Sequence, residues 1–180
     1  GRPTLRIFRS EWPFQLSNGA MAEQAIDTLR KTPLHAIHEE MGGKMVPFAG
    51  YEMPVQFEGV KPEHLWTREH AGLFDVSHMG PCFLYLKECL GEPGAHEKIS
   101  ALIERLVPSA IATLKPGQGR LTVLLNDEGG ILDDLIITRM PDENLAGMLY
   151  IVVNGAVKQE DWALIREKLG DEAELQTADD

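Results

Sequence analysis

The stretch Leu121-Thr122-Val123-Leu124-Leu125-Asn126-Asp127-Glu128-Gly129-Gly130-Ile131-Leu132-Asp133-Asp134-Leu135-Ile136-Ile137-Thr138 decides how this chain is read. Residues 121–125 form an apolar run, and 126–130 supply the turn residues that follow it. A second run, 131–138, is turned by Met140-Pro141-Asp142-Glu143-Asn144 into a third, Leu149-Tyr150-Ile151-Val152-Val153. Three strand-like runs joined by short turns predict an antiparallel meander. Side chains alternate along a strand, so Asp133 falls with Ile131, Leu135 and Ile137, and Asp134 with Leu132, Ile136 and Thr138. Apart from the acids both faces are largely apolar, which predicts a strand covered on both sides with at least one carboxylate partly buried.

Aspartate is disfavoured in strands, so the pair at 133 and 134 is a local conflict. A carboxylate among aliphatic side chains either gains hydrogen-bond donors or titrates at a raised pKa. Both states suit an acid, a base or an anchor for a polar ligand. The plainer reading has Asp133 bonded to turn backbone and Asp134 meeting solvent at a strand end.

Of the 180 residues, 43% are hydrophobic and 25% charged, which is ordinary for a globular chain with one core or two small ones. No apolar run is long enough to span a bilayer, so no membrane role is expected. A net charge of -11 and a pI near 5.0 argue against a nucleic-acid surface, which needs a basic face. Cys82 and Cys89 lack CxxC spacing and give no sign of a disulfide scaffold, which fits a reducing compartment. Residues 1–20 carry Arg2, Arg6 and Arg9 against the single acid Glu11. They read either as the remnant of an organellar transit peptide or as sequence upstream of a start at Met21. The lack of a clean amphipathic repeat favours the second.

A first helical region is expected over 27–40, with Thr32 as N-cap, Pro33 at the first position and Leu34, Ile37, His38 and Met41 in helical spacing. His35 and His38 lack a third ligand at metal spacing and read as helix-surface and helix-edge residues. Residues 44–57 hold two prolines and three aromatics, which predicts a bent, extended segment rather than a regular strand. Its aromatics and Met45 and Met53 read as core packing, with the lining of a ligand pocket as the alternative. A short helix is expected over 62–70, then a strand over 82–86. Asp75, Ser77 and His78 contain triad residue types, but their spacing on one extended segment does not let them converge. Ile99, Leu102, Ile103 and Leu106 mark another helix, and 115–119 is a turn that fails as a phosphate loop. After the meander, Asn154 reads as the N-cap of a helix bearing Trp162, Ile165 and Leu169, with its amide as a second possible ligand contact. The fold expected is α+β, a mainly antiparallel sheet with flanking helices.

Five collinear segments together resemble the T-protein of the glycine cleavage system, a tetrahydrofolate-dependent aminomethyltransferase. They are Thr32-Pro33-Leu34-His35, the run from Gly43 to Gln56, Ala71-Gly72-Leu73-Phe74-Asp75-Val76-Ser77-His78-Met79-Gly80, Asn126 through Leu135, and Val152-Val153-Asn154. The resemblance implies that the one-carbon unit of the aminomethyl group on the lipoyl arm of H-protein passes to tetrahydrofolate, with release of ammonia. It implies that Asp134 is catalytic and lies at the pterin, that Asn154 holds the pterin, and that Met79 packs beside the folate. Asp133 is left as a turn or structural acid. Tetrahydrofolate is then a co-substrate, lipoylated H-protein the partner, and no metal is implied.

Members of that family are about twice this length with three domains. Residues 21–180 are therefore expected to be the N-terminal portion of a multidomain folate-binding fold, with 1–20 an unassigned extension. The last residues, Ala178-Asp179-Asp180, show no capping element, and the expectation is of a chain cut short. Leu121 stands where many members carry an aromatic. The expected compartment is bacterial cytoplasm, with the mitochondrial matrix as the alternative. Competing readings are the folate-binding part of a methylamine-oxidising flavoenzyme, a relative that assists iron-sulfur maturation, or a non-catalytic folate-binding module.

Overall fold

The computed structural model describes residues 29–178, so the expectations for 1–20 and for the chain's last two residues lie outside the described part. In chain order the elements are β1 (Arg30–Lys31), α1 (His35–Glu40), β2 (Met45–Phe48), β3 (Tyr51–Pro54), α2 (Val60–Glu69), β4 (Gly80–Tyr85) and α3 (Ala95–Ile103). There follow β5 (Gly119–Leu125), β6 (Ile131–Arg139), β7 (Met148–Val153), α4 (Lys158–Leu169) and β8 (Glu174–Thr177).

The meander is present. β5 pairs with β6 and β6 with β7, both antiparallel, and β4 enters between β7 and β8 to give the order β5-β6-β7-β4-β8. The 126–130 turn closes through Asn126, whose side-chain oxygen accepts from the backbone N–H of Glu128 and Gly130 while Gly129 takes φ +78°. Only glycine adopts that conformation without a Cβ penalty. The register slips by one residue between Leu124 and Leu125, just before this turn. The expected α+β fold with a mainly antiparallel sheet and flanking helices is the one observed.

One face of the sheet carries the core. Leu124, Leu135, Ile137, Leu149, Ile151, Val153, Cys82 and Leu84 pack with Ile99 and Ile103 of α3 and Trp162, Ile165 and Leu169 of α4. Each such aliphatic side chain contributes about 1.5–3 kcal/mol of hydrophobic burial. Gly80 is closely packed: a Cβ there would meet Val153 at 2.6 Å and Lys158 at 2.8 Å. This opens room for α4 against the strand ends.

The opposite face corrects the expectation of a strand covered on both sides. Leu121, Leu132 and Ile136 are 65%, 50% and 45% exposed, so the apolar alternation there is not core packing within the described residues.

Two local expectations also change. Residues 44–57 form a regular hairpin, β2 against β3, turned at Ala49 and Gly50, with β1 parallel to β3. The prolines are tolerated because Pro47 lies on an outer strand of this small sheet and Pro54 at a strand terminus. Tyr51 and Met53 are buried as assigned, whereas Phe48 and Phe57 are not. Helix α1 is shorter than expected and turns the other way: Leu34, Ile37 and Met41 face out, and His35 is buried.

Candidate functional site

Strand register brings the expected site residues to one end of the sheet. Ile136 lies opposite Val152, which puts Asp134 level with Asn154, and Val153 lies opposite Gly80, which puts Met79 level with Asn154 on the other side. Val123 completes the row across from Asp134.

Asn154 ties the row together. Its Nδ2 donates to Asp133 Oδ1 at 2.8 Å and to both the backbone oxygen and Oδ1 of Asp134 at 3.1 Å. Its backbone N–H donates to Asp133 Oδ2 at 3.2 Å. Asn154 is therefore not the N-cap of α4, which starts after Val157; two aspartates across the strand outcompete the helix end for its side chain. These bonds use Nδ2 and the backbone N–H, so Oδ1 keeps acceptor capacity.

The two aspartates separate as strand alternation requires. Asp133 turns to the core face, partly buried, and its oxygens accept from Asn154 rather than from turn backbone. Asp134 is exposed and lies on the open face between Leu132 and Ile136. A hollow lined by Gly91, Gly94, His96, Arg139 and Ala146 lies at the other end of β6, away from Asp134. Among the described residues, the surface around Asp134 is an open sheet face on which exposed Leu121, Leu132 and Ile136 surround the carboxylate and the Asn154 amide.

Behind Asn154 sits an acid that the sequence reading passed over. Asp161, in the first turn of α4, is 4% exposed, and its Oδ2 has no hydrogen-bond partner among the described residues. Burial, then contact with the carboxyl of Asp133, then the charge of Glu160, push its pKa up to about 7. A signal was available: Lys158, Asp161, Trp162, Ile165 and Leu169 fall at i, i+3, i+4, i+7 and i+11, and all are buried. Reading only the apolar members of that stripe hid its two charged ones. Lys158, 1% exposed, donates to the Tyr51 hydroxyl at 2.8 Å and lies over the Tyr51 and Trp162 rings.

The segment that carries Met79 is fastened at Asp75. Thr32 Oγ1 donates to Asp75 Oδ2 at 3.0 Å, His38 Nε2 to the same oxygen at 2.8 Å, and the Ser77 backbone N–H to Oδ1 at 2.9 Å. Burial would raise this carboxyl, but the bonds from Ser77, His38 and Thr32 outweigh it and hold the group well below the usual carboxylate range. His35 makes a parallel contact, Nε2 to Glu52 Oε2 at 2.8 Å. The histidines expected on the helix surface instead point inward, because partly buried carboxylates offer them charge-assisted bonds that solvent does not. Thr32, expected to cap α1, spends its hydroxyl on Asp75. No group of three or more His, Cys, Asp or Glu among the described residues is placed to hold a metal ion.

Residues 34–180 match the family described as the GCVT N-terminal domain. An aminomethyltransferase of Picosynechococcus is 44% identical over 135 residues, covering 75% of this chain and 33% of its own length. A mitochondrial aminomethyltransferase of Saccharomyces cerevisiae is 42% identical over 144 residues, covering 79% and 33%. The crystal structure of glycine cleavage system aminomethyltransferase T from Bartonella henselae superposes with a TM-score of 0.71 at 38% identity, over 84% of this chain and 38% of that one. The chain spans about a third of the length of the curated relatives it matches.

Proposed function

The chain belongs to the GCVT N-terminal domain family, and from that premise we propose that it works in the transfer of a one-carbon unit from aminomethyl-lipoyl H-protein to tetrahydrofolate, with release of ammonia. In this reading residues 21–180 supply part of a folate-binding region. Relatives named aminomethyltransferase, both bacterial and mitochondrial, support it.

The observation that carries the reading is the Asn154 carboxamide, bonded at once to Asp133 and Asp134 and level with Met79. A pterin is a flat heterocycle whose edge presents both donors and acceptors. The open face offers it an apolar floor at Leu121 and Ile136, an acceptor at Asp134 and the amide oxygen of Asn154. Folate supplies the nitrogen that accepts the carbon. Asp134 orients that nitrogen and offsets positive charge that develops as the carbon moves. Asn154 fixes the direction of Asp134, and Met79 covers the ring edge.

The test is to assay the intact protein with aminomethylated H-protein. Ammonia release that depends on tetrahydrofolate is expected. Release that is absent, or indifferent to folate, rejects the transferase reading.

A further inference from the structure

We propose that Asp133 and Asp161 share one proton behind the Asn154 carboxamide, and that this shared proton positions Asn154 and through it Asp134. Only the consequence for folate binding rests on the function proposed above. The shared proton rests on the burial of Asp161, its unpartnered Oδ2 and its contact with Asp133.

Two carboxyls face each other where β6 meets the first turn of α4. Asp161 is almost wholly buried and its Oδ2 meets no donor among the described residues. Asp133 already receives both of its bonds from Asn154, which leaves no donor from that residue for Asp161. A buried carboxylate in contact with a partly buried one is disfavoured when both are ionised, and a single proton between them satisfies the orphaned oxygen and removes the repulsion.

The other groups around Asp161 do not relieve it. Glu160 on its own helix adds negative charge, and the Cys82 thiol on β4 is held neutral by burial. Lys158, one turn earlier, is directed at Tyr51 and Trp162. The N-terminus of α4 favours a charged acid, and the raised pKa of Asp161 shows that burial and Asp133 prevail.

The proton matters because Asn154 is held by the same carboxyl that shares it. With the proton present, Asp133 is pinned from behind by Asp161 and accepts from Asn154 in front. Without it, the two carboxylates repel and Asp133 moves away from α4, carrying Asn154 and the contact to Asp134 with it. Asp161 is thus a positioning residue, two contacts removed from Asp134.

The test follows the Asn154 side-chain amide resonances of the full chain by NMR as pH is varied about two units to either side of neutral. The wild type should show a titration near pH 7 at Asn154. In Asp161→Asn, whose amide replaces the proton with a permanent donor, the resonances should stay at their low-pH wild-type positions throughout. Asp161→Ala should place them away from those positions at every pH. A wild type in which Asn154 does not respond to pH, or an Asp161→Asn variant that still titrates there, overturns the proposal. A chain that shows the titration and binds no folate keeps the shared proton and loses the folate reading.

Discussion

Asp75 and Asp161 are both buried aspartates, and their surroundings drive them in opposite directions. Asp75 gathers donors from Thr32, His38 and Ser77, and its carboxyl is held ionised. Asp161 meets another carboxyl and no donor to Oδ2 among the described residues, and its pKa is pushed up to about 7. Burial opposes ionisation in both, so the number of donors that reach the oxygens is what decides the charge. Each state suits a task. The ionised acid fastens the loop that bears Met79, and the acid of raised pKa lies behind the strand end that bears Asn154 and Asp134.

The comparison breaks most visibly at Asp75. Asp75→Ala leaves Thr32, His38 and the Ser77 amide without their acceptor, and denaturant titration should show a loss of about 3–5 kcal/mol. A loss under about 1 kcal/mol would make Asp75 an ordinary surface acid.

Stability against pH sharpens the comparison because the two acids act on opposite limbs. The folded pKa of Asp75 is lowered, so its stabilisation is present above the usual carboxylate value and is lost as pH falls through the folded one. The folded pKa of Asp161 is raised from 3.8 to about 7, so the native state holds a proton there that the unfolded chain has released. Its stabilisation is complete below the lower value and declines as pH rises to the upper one. Asp161→Asn should flatten that decline, about 4 kcal/mol in size, and leave the acid limb in place. An unchanged decline would remove Asp161 from its cause.

Smaller effects are expected further from the two acids. Asn154→Ala should cost about 1–2 kcal/mol in unfolding free energy and make Asp133 less able to hold its position. Tyr51→Phe removes the hydroxyl acceptor of Lys158 but keeps the ring beneath it, and should cost about 1 kcal/mol by thermal or denaturant unfolding.

Much of the fold was legible because period and turn chemistry agree. The β5–β6–β7 meander, α3 and the buried stripe of α4 follow from alternation, from the Asn126–Gly130 turn residues and from helical spacing. The errors arose where polar residues, not apolar ones, form the inner face. In α1 the apolar spacing of Leu34, Ile37 and Met41 pointed to the wrong side, since His35 and His38 are drawn inward by Glu52 and Asp75. Those partners lie 17 and 37 residues away in sequence, beyond any local pattern. Strand β8, four residues long, carried no distinctive signal. At the candidate site, Asp134, Asn154 and Met79 were named from motif resemblance, and the register puts them in one row. The open apolar face around Asp134 could not be read from alternation, because a face that awaits a ligand or another chain segment has the same composition as one already packed.

The central claim is that the Asp134 carboxylate acts by its charge, beside Asn154, on bound folate. It is tested most directly by Asp134→Asn in the intact protein, measuring folate-dependent ammonia release and tetrahydrofolate affinity side by side. Turnover should fall by about 10²- to 10³-fold while affinity changes less than about tenfold. Wild-type turnover, or an equal loss in both quantities, would contradict the account and leave Asp134 with a role in structure or in binding alone.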